Sequence, residues 1–283
     1  MRIQNINSTN PQKNNIGFKN WERVVYNQKP KDITNKVLHR NTTWFLRPSV
    51  KYWQDLVLFL TQHFIDAPKV NTYIYGCSDG SDAYSFFLVL QSILKQKMYQ
   101  KFLPIIAKDY DPKAIEKCLS RKIALNESET NNIKELINLH NHDTSQNKNN
   151  FDEFFEFFSY NDGDINIIRY DNGYEYWTND FIYKIKKPLF RNIIFQQADI
   201  TQDYINIEPN NSIIFARNFW PYIEENKRME LANNLYGRLG NNSVLILGNF
   251  DNLCDDSGEK GSDALVKAGF KTSPINYCFI KND

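Results

Sequence analysis

A glycine-containing turn between two short apolar stretches constrains this sequence more than any other feature. Alternating aromatic and β-branched residues at 73–75 predict a strand that stops at Gly76. The apolar spacing from Tyr84 to Met98 predicts a helix, and the run from Phe102 to Ala107 predicts a second strand that leads into Asp109. This order of elements predicts a βαβ unit of an open α/β sheet, with a carboxylate at the end of its second strand.

The turn of this unit carries the residue types of a site for a nucleoside cofactor. Gly76 and Gly80 would let the backbone approach a ligand closely, because neither has a Cβ atom. Asp82 would lie where the N–H donors of a helix N-terminus converge, and Asp109 could accept hydrogen bonds from ribose hydroxyl groups. The G-x-x-x-G spacing lacks the tight glycine pair of a dinucleotide site, so pyrophosphate binding is disfavoured. An ordinary strand-to-helix turn is the alternative explanation of the two glycines.

The composition is that of a folded protein without a large charged surface. The 283 residues are 41% hydrophobic and carry a formal net charge of +1, so nothing predicts nucleic-acid binding. The four cysteines show no C-x-x-C spacing, and we expect neither a disulfide framework nor a metal site. No apolar stretch approaches the roughly 18 to 20 residues of a membrane span, and residues 1–20 lack the apolar core of a signal peptide. We therefore expect a cytoplasmic protein without membrane insertion.

The order of the predicted elements indicates one α/β domain with an insertion. Residues 1–40 predict a mostly polar N-terminal tail with a short helix, and residues 41–283 predict the α/β domain. Within 126–190 we expect an inserted helical and β-subdomain. It begins with a polar surface insertion at 126–150, in which only Ile133 to Leu139 show helical spacing, and continues with a helical segment and a small antiparallel element at 151–189. Three more strands of the main sheet are predicted at Arg191–Phe195, Ser212–Ala216 and Ser243–Gly248.

Four stretches of the sequence resemble the chemotaxis receptor methyltransferases, the CheR family, and they follow the order found in that family. Residues 76–85 read GCSDGSDAYS, where the family typically has GCSTGEEPYS. Residues 43–47 read TWFLR, which is similar to the family's T-x-F-F-R segment, and residues 108–111 read KDYD, which is similar to its TDID. Residues 217–222 read RNFWPY and are similar to part of its CRNVLIYF. The resemblance extends from Thr43 to beyond the fifth predicted strand.

This resemblance implies a Rossmann-like class I methyltransferase sheet with helices on both faces, plus a small inserted antiparallel β-subdomain. Members of the family use S-adenosylmethionine, release S-adenosylhomocysteine and esterify glutamate side chains of receptors. The resemblance therefore implies protein glutamate carboxyl O-methylation and a protein partner that bears glutamate side chains. Two alternatives stay open: a catalytically degenerate methyltransferase fold that serves as a binding module, and a methyltransferase that acts on a small molecule or nucleic acid.

The resemblance also implies two groups of site residues. Arg47 and Tyr222 would place the methyl acceptor, Arg47 by pairing its guanidinium group with a carboxylate and Tyr222 through its hydroxyl group. Asp199 follows the third predicted strand, where it could accept a hydrogen bond from the adenine amino group or cap the next short helix. We expect the cofactor to contact Thr43, Gly76, Cys77, Ser78, Gly80, Asp82, Asp109, Tyr110, Asp199, Ile200 and Asn218.

Overall fold

A computed structural model describes residues 39–41, 45–141, 151–160, 167–171, 174–177, 181–220, 223–249, 251 and 260–281. Its strands are β1 (His39–Asn41), β2 (Asn71–Tyr75), β3 (Ile105–Asp109), β4 (Lys122–Leu125), β5 (Phe155–Tyr160), β6 (Ile167–Asp171), β7 (Tyr174–Trp177), β8 (Phe181–Ile185), β9 (Ile193–Gln197), β10 (Ser212–Ala216), β11 (Val244–Ile246), β12 (Lys271–Thr272) and β13 (Cys278–Ile280). Its α-helices are α1 (Val50–His63), α2 (Ser81–Ile93), α3 (Gln96–Tyr99), α4 (Pro112–Ser120), α5 (Glu127–Asn141), α6 (Phe151–Phe154), α7 (Lys187–Phe190), α8 (Ile200–Asp203), α9 (Glu225–Arg238) and α10 (Gly261–Ala268).

Within the described residues, the main sheet contains seven strands in the order β12-β13-β11-β10-β2-β3-β9. The strands from β11 to β9 in this order are parallel, and β13 runs antiparallel to β11 and β12. The chain leaves β2 towards β3 and β9 on one side, and later places β10 on the other side of β2. The carboxyl ends of β2 and β10 therefore flank the topological switch point, where open α/β sheets bind ligands. The predicted Rossmann-like sheet is confirmed.

Helices cover both faces of this sheet, because alternate strand residues point to two separate apolar cores. The first core receives strand residues from one face and side chains from α1 and α2, among them Ile74, Phe215, Trp53 and Phe86. The second core receives the opposite strand residues and side chains from α9 and α10, among them Tyr73, Tyr75, Ile214, Leu235 and Leu265. This two-sided burial holds the strand ends at one edge of the sheet.

Helix α5 differs from the polar surface insertion predicted for this part of the sequence. Ile133, Leu136 and Ile137 are buried in the first core. Their spacing places them on one face of the helix, and Asn131 and Asn138 lie on its exposed side. The prediction of a surface insertion is therefore wrong over the helix. Residues 142–150 lie outside the described residues.

Two smaller three-stranded sheets accompany the main sheet. One has the order β4-β8-β5 and is antiparallel, as expected for a small antiparallel element. The other has the order β1-β6-β7, in which β1 pairs parallel with β6. The predicted N-terminal tail lies outside the described residues except for the start of β1. None of the described helices has the length and apolar character needed to cross a membrane.

Candidate functional site

The glycine loop, residues 76–80, connects β2 to α2 at the switch point of the main sheet. Gly76 and Gly80 have φ angles of 68° and 90°, which glycine adopts without the strain that a Cβ atom would cause. A Cβ atom on Gly76 would also lie 2.8 Å from Cδ1 of Phe219. The glycine loop therefore packs directly against the segment that follows β10.

Replacing Gly76 by alanine is expected to lower the free energy of unfolding by about 2 kcal/mol or more, because the backbone conformation and the contact with Phe219 both resist a Cβ atom. Urea denaturation measures this change. Gly237→Ala is the matched control: Gly237 lies in α9, and its Cβ atom would meet no atom within 4 Å. That variant should be more stable than the wild type by about 0.5–1 kcal/mol. Equal stabilities for the two variants would contradict the described loop.

Asp109 ends β3 beside the glycine loop. Its Oδ2 atom accepts a hydrogen bond from the N–H group of Ser78 at 2.8 Å, and its Oδ1 atom accepts one from the N–H group of Asp111 at 2.9 Å. Burial raises the pKa of the Asp109 carboxyl group, and the backbone hydrogen bonds oppose this rise. Each oxygen keeps a further lone pair, so the carboxylate can accept hydrogen bonds from a ribose diol.

Asp199 lies at the neighbouring strand end, after β9. The N–H group of Ala198 donates to the carbonyl oxygen of Asp109 at 2.9 Å and joins the two strand ends. The Oδ1 atom of Asp199 caps α8 by accepting hydrogen bonds from the N–H group of Thr201 at 2.9 Å and from its hydroxyl group at 2.8 Å. The Oδ2 atom is buried and has no hydrogen-bond partner in the described part of the chain. Capping is therefore observed, and one buried acceptor remains for a donor such as the adenine amino group.

Two other predicted contacts lie next to these carboxylates. Tyr110 follows Asp109 and is 45% exposed, and its carbonyl oxygen accepts a hydrogen bond from Nε2 of Gln197 at 3.2 Å. Ile200 begins α8, and its side chain is buried in the second core. Any contact of Ile200 with a ligand would therefore involve its backbone.

Asp82 forms a buried ion pair with Arg217, which follows β10. The Oδ1 atom of Asp82 lies 2.5 Å from one terminal nitrogen of Arg217, and the two side chains are 4% and 2% exposed. The other terminal nitrogen of Arg217 donates to the carbonyl oxygen of Arg47 at 2.6 Å. Burial raises the pKa of Asp82, and the charges of Arg217 and Arg47 oppose this rise. Arg47 therefore lies close to the pair, at the same edge of the sheet.

The start of α2 differs from the prediction for Asp82. The N-cap residue is Gly80, and Asp82 lies in the first turn. Asp79 satisfies the donors there: its Oδ1 atom accepts hydrogen bonds from the N–H group of Ser81 at 3.0 Å and from the Ser81 hydroxyl group at 2.6 Å. The Asp82 carboxylate therefore forms an ion pair with Arg217 and is not the N-cap of the helix.

The remaining predicted contacts of the glycine loop use the backbone. The Cys77 side chain is buried, and both its hydrogen bond with Cys118 and its burial raise the pKa of the thiol group. The N–H group of Cys77 donates to the carbonyl oxygen of Lys108 at 3.1 Å, which extends the pairing of β2 with β3. Ser78 has a φ angle of 53° and directs its N–H group to Asp109.

The predicted contact Asn218 lies on the segment that follows β10, directly after Arg217. Its φ angle is 63°, and its side chain lies so close to Gly248 that a Cβ atom there would overlap it. The predicted site residues Thr43 and Tyr222 lie outside the described residues, so their roles stay predictions. The sequence analysis gave Arg217 no role, although a cation directly after a strand as apolar as β10 indicates that a buried counter-charge is needed.

These strand ends fit S-adenosylmethionine. Asp109 and Asp199 offer acceptors for the ribose and adenine groups at two neighbouring strand ends. When bound, the cofactor supplies a methyl group on a positively charged sulfur atom.

Comparisons with known proteins agree with this fit. A family model described as CheR methyltransferase, SAM binding domain, matches residues 158–264. No curated protein sequence matches the chain significantly. The glycine loop and Asp109 precede the matched residues, whereas Asp199, Arg217 and Asn218 lie within them.

The solved structures that match this chain include several methyltransferases. The TehB-like SAM-dependent methyltransferase from Corynebacterium glutamicum has 11% identity and a TM-score of 0.35, over 81% of this chain and 92% of that chain. Precorrin-6y C5,15-methyltransferase from Geobacter metallireducens has 11% identity and a TM-score of 0.37, over 82% and 78%. Magnesium protoporphyrin IX methyltransferase from Synechocystis, with bound SAM, has 10% identity and a TM-score of 0.34, over 85% and 83%. These likenesses are distant, and no assignment of function rests on them.

The family match and the sequence motifs point to the same conclusion. The match covers β9, β10 and β11 of the Rossmann-like sheet, and the motifs at residues 43–47, 76–85 and 108–111 precede it in the order of the family. The cofactor is S-adenosylmethionine, and the product formed from it is S-adenosylhomocysteine. Residues 158–264 therefore match the SAM-binding domain of CheR methyltransferases, and the motifs that precede them resemble the same family.

Proposed function

We propose that this chain transfers the methyl group of S-adenosylmethionine to glutamate carboxyl groups of a protein. The observation that carries the proposal is the meeting of three carboxylates around the glycine loop. Asp109, Asp199 and Asp82 come from different parts of the chain and lie at the same edge of the sheet, at its switch point. In this proposal Asp109 accepts the ribose hydroxyl groups and the Oδ2 atom of Asp199 accepts the adenine amino group.

The ion pair between Asp82 and Arg217 lies on the other side of the glycine loop. We assign it to the amino-acid end of the cofactor, because an ammonium and a carboxylate group can add to an existing pair of opposite charges. The backbone of the glycine loop and Asn218 would line the space between this pair and Asp109. Thr43 keeps its predicted contact with the cofactor within this proposal.

A carboxylate acceptor suits the chemistry of this site. Such a group is already ionised at neutral pH, so the protein needs to align it rather than remove a proton. Arg47 lies beside Asp82, and its guanidinium group can pair with the acceptor carboxylate. Tyr222 would orient the acceptor through its hydroxyl group.

A protein substrate is supported by the small antiparallel sheet. Its edge strand β5 carries Phe157 and Phe158, which are 49% and 51% exposed. Exposed aromatic residues on an edge strand suit the docking of an extended peptide. The proposal includes a role in chemotaxis signalling and a cytoplasmic location, which is consistent with the free thiols of Cys77, Cys118 and Cys278.

The stability of the product in alkali tests this proposal. The chain is incubated with methyl-labelled S-adenosylmethionine and a cytoplasmic and membrane protein extract, and the labelled proteins are then treated with alkali. Glutamyl methyl esters should release the label as methanol. Arg47→Ala should reduce the rate of labelling by about 10- to 100-fold, because a charge-assisted pair with the acceptor is lost. An alkali-stable product would instead indicate a different acceptor class, and binding of cofactor without any labelling would indicate a binding module.

A further inference from the structure

Asp251 is a buried carboxylate that has no role in the reaction proposed above. It follows β11 and is fully buried. Its Oδ2 atom accepts hydrogen bonds from the N–H groups of Asn218 at 2.6 Å and Gly248 at 2.7 Å. Its Oδ1 atom accepts a third hydrogen bond from the N–H group of Trp220 at 3.0 Å. One side chain therefore joins the segment after β10 to the segment after β11.

These hydrogen bonds fix the backbone on both sides of a turn. Asn218 has a φ angle of 63°, in the left-handed region that costs free energy for residues other than glycine. Asp251 binds the N–H group of Asn218 itself and that of Trp220, two residues later. Phe219, between them, packs against Gly76 of the glycine loop. The position of this turn relative to the glycine loop therefore depends on the Asp251 carboxylate.

The hydrogen bond from the N–H group of Gly248 to Asp251 positions Gly248 against the Asn218 side chain. The contact is so close that a Cβ atom at residue 248 would overlap Oδ1 of Asn218. Asp251 thus holds the backbone of Asn218 directly and holds the surface on which its side chain rests. A carboxylate suits this place because both of its oxygens accept hydrogen bonds, whereas an amide would turn an NH₂ group towards at least one of the backbone donors.

We propose that Asp251 is a positioning residue for the cofactor, which acts by holding Asn218 in the conformation that contacts it. The inference rests on the proposed function, because that proposal assigns Asn218 to the cofactor. Asp251 itself touches neither cofactor nor acceptor. Removing the Asp251 carboxylate should therefore lower the affinity for the cofactor only by altering the conformation of Asn218.

Calorimetric titration with S-adenosylhomocysteine tests this inference. Asp251→Asn should weaken binding by about tenfold or more, under conditions where circular dichroism shows a folded chain. Asp263→Asn is the matched control, since the Asp263 carboxylate also accepts a backbone hydrogen bond, from Lys260 at 2.9 Å, but lies on α10 and at the surface. The control variant should bind within about twofold of the wild type. Unchanged affinity in Asp251→Asn would overturn the inference and leave the proposed function intact.

A double-mutant cycle separates positioning from a general structural role. In an Asn218→Ala background, Asp251→Asn should cost much less affinity than it costs in the wild type. An equal cost in both backgrounds would overturn the inference. If Asp251→Asn does not fold, Gly248→Ala decides: it displaces the Asn218 side chain while Asp251 stays, and it should weaken binding by about tenfold or more. Unchanged binding in Gly248→Ala, or no binding by the wild type, would contradict the inference, and the latter result would also contradict the proposed function.

Discussion

Replacing Asp82 by alanine is expected to lower the free energy of unfolding by about 3–5 kcal/mol, the range for breaking a buried ion pair from one side. The carboxylate lies 2.5 Å from Arg217, and both side chains are almost fully buried. Without it, the guanidinium group of Arg217 stays buried with no counter-charge at that position. The positive charge of Arg47, which also acts on Asp82, would then repel the unpaired positive charge of Arg217. Urea denaturation measures the effect.

Two comparisons make this prediction specific. Asp55→Ala breaks the exposed pair of Lys51 and Asp55, whose side chains are 77% and 41% exposed, and should cost less than about 0.5 kcal/mol. The double variant Asp82→Leu and Arg217→Met removes both charges and should recover most of the stability lost in Asp82→Ala. If Asp82→Ala cost no more than the surface variant, the ion pair would not be buried as described.

Strands with a continuous apolar pattern were the most predictable part of this fold. β10 has the predicted bounds, Ser212–Ala216, because all its residues are buried between two layers of helices. β9 begins two residues later than predicted and extends into the polar residues Gln196 and Gln197. Those residues pair with the end of β3, so the neighbouring strand rather than local composition sets the end of β9.

Helix α5 shows why polar segments are harder to predict. Its three buried apolar residues, Ile133, Leu136 and Ile137, stand among asparagine and charged residues. The sequence shows their helical spacing, but the polarity of the segment favours a surface position and does not indicate that they are buried. Packing of its apolar face in the first core, rather than the helix propensity of its residues, stabilises the helix. The parallel pairing of β1 with β6 is likewise absent from any local pattern, since more than a hundred residues separate the two strands.

The candidate site also has features that the sequence predicts and features that it does not. The sequence predicts that Asp109 and Asp199 lie close together because each comes at the end of a predicted strand, and the ends of parallel strands meet at one edge of the sheet; their contacts with the cofactor stay predictions. The pairing of Asp82 with Arg217 joins residues 135 positions apart and depends on β10 lying next to β2. A sequence alone does not specify that order of strands. The three backbone hydrogen bonds of Asp251 have no sequence signal for the same reason.

The second large effect is expected for Asp109→Ala, which should weaken the binding of S-adenosylhomocysteine by about 100-fold or more. In the proposed site the carboxylate accepts hydrogen bonds from both ribose hydroxyl groups, and each hydrogen bond to a charged group contributes about 1.5–3 kcal/mol. The variant also loses the acceptor that binds the N–H group of Ser78 in the glycine loop. Asp111→Ala removes an adjacent carboxylate that caps α4 and should bind within about twofold of the wild type.

Calorimetric titration of the wild-type chain with S-adenosylhomocysteine, with Asp109→Ala alongside, tests the central claim most directly. The proposed site predicts saturable binding with one ligand per chain, which Asp109→Ala weakens by about 100-fold or more and Asp111→Ala retains. Circular dichroism establishes that each variant is folded. A folded wild-type chain that binds neither S-adenosylhomocysteine nor S-adenosylmethionine would contradict the claim, and equal binding by wild type and Asp109→Ala would show that the ligand lies elsewhere.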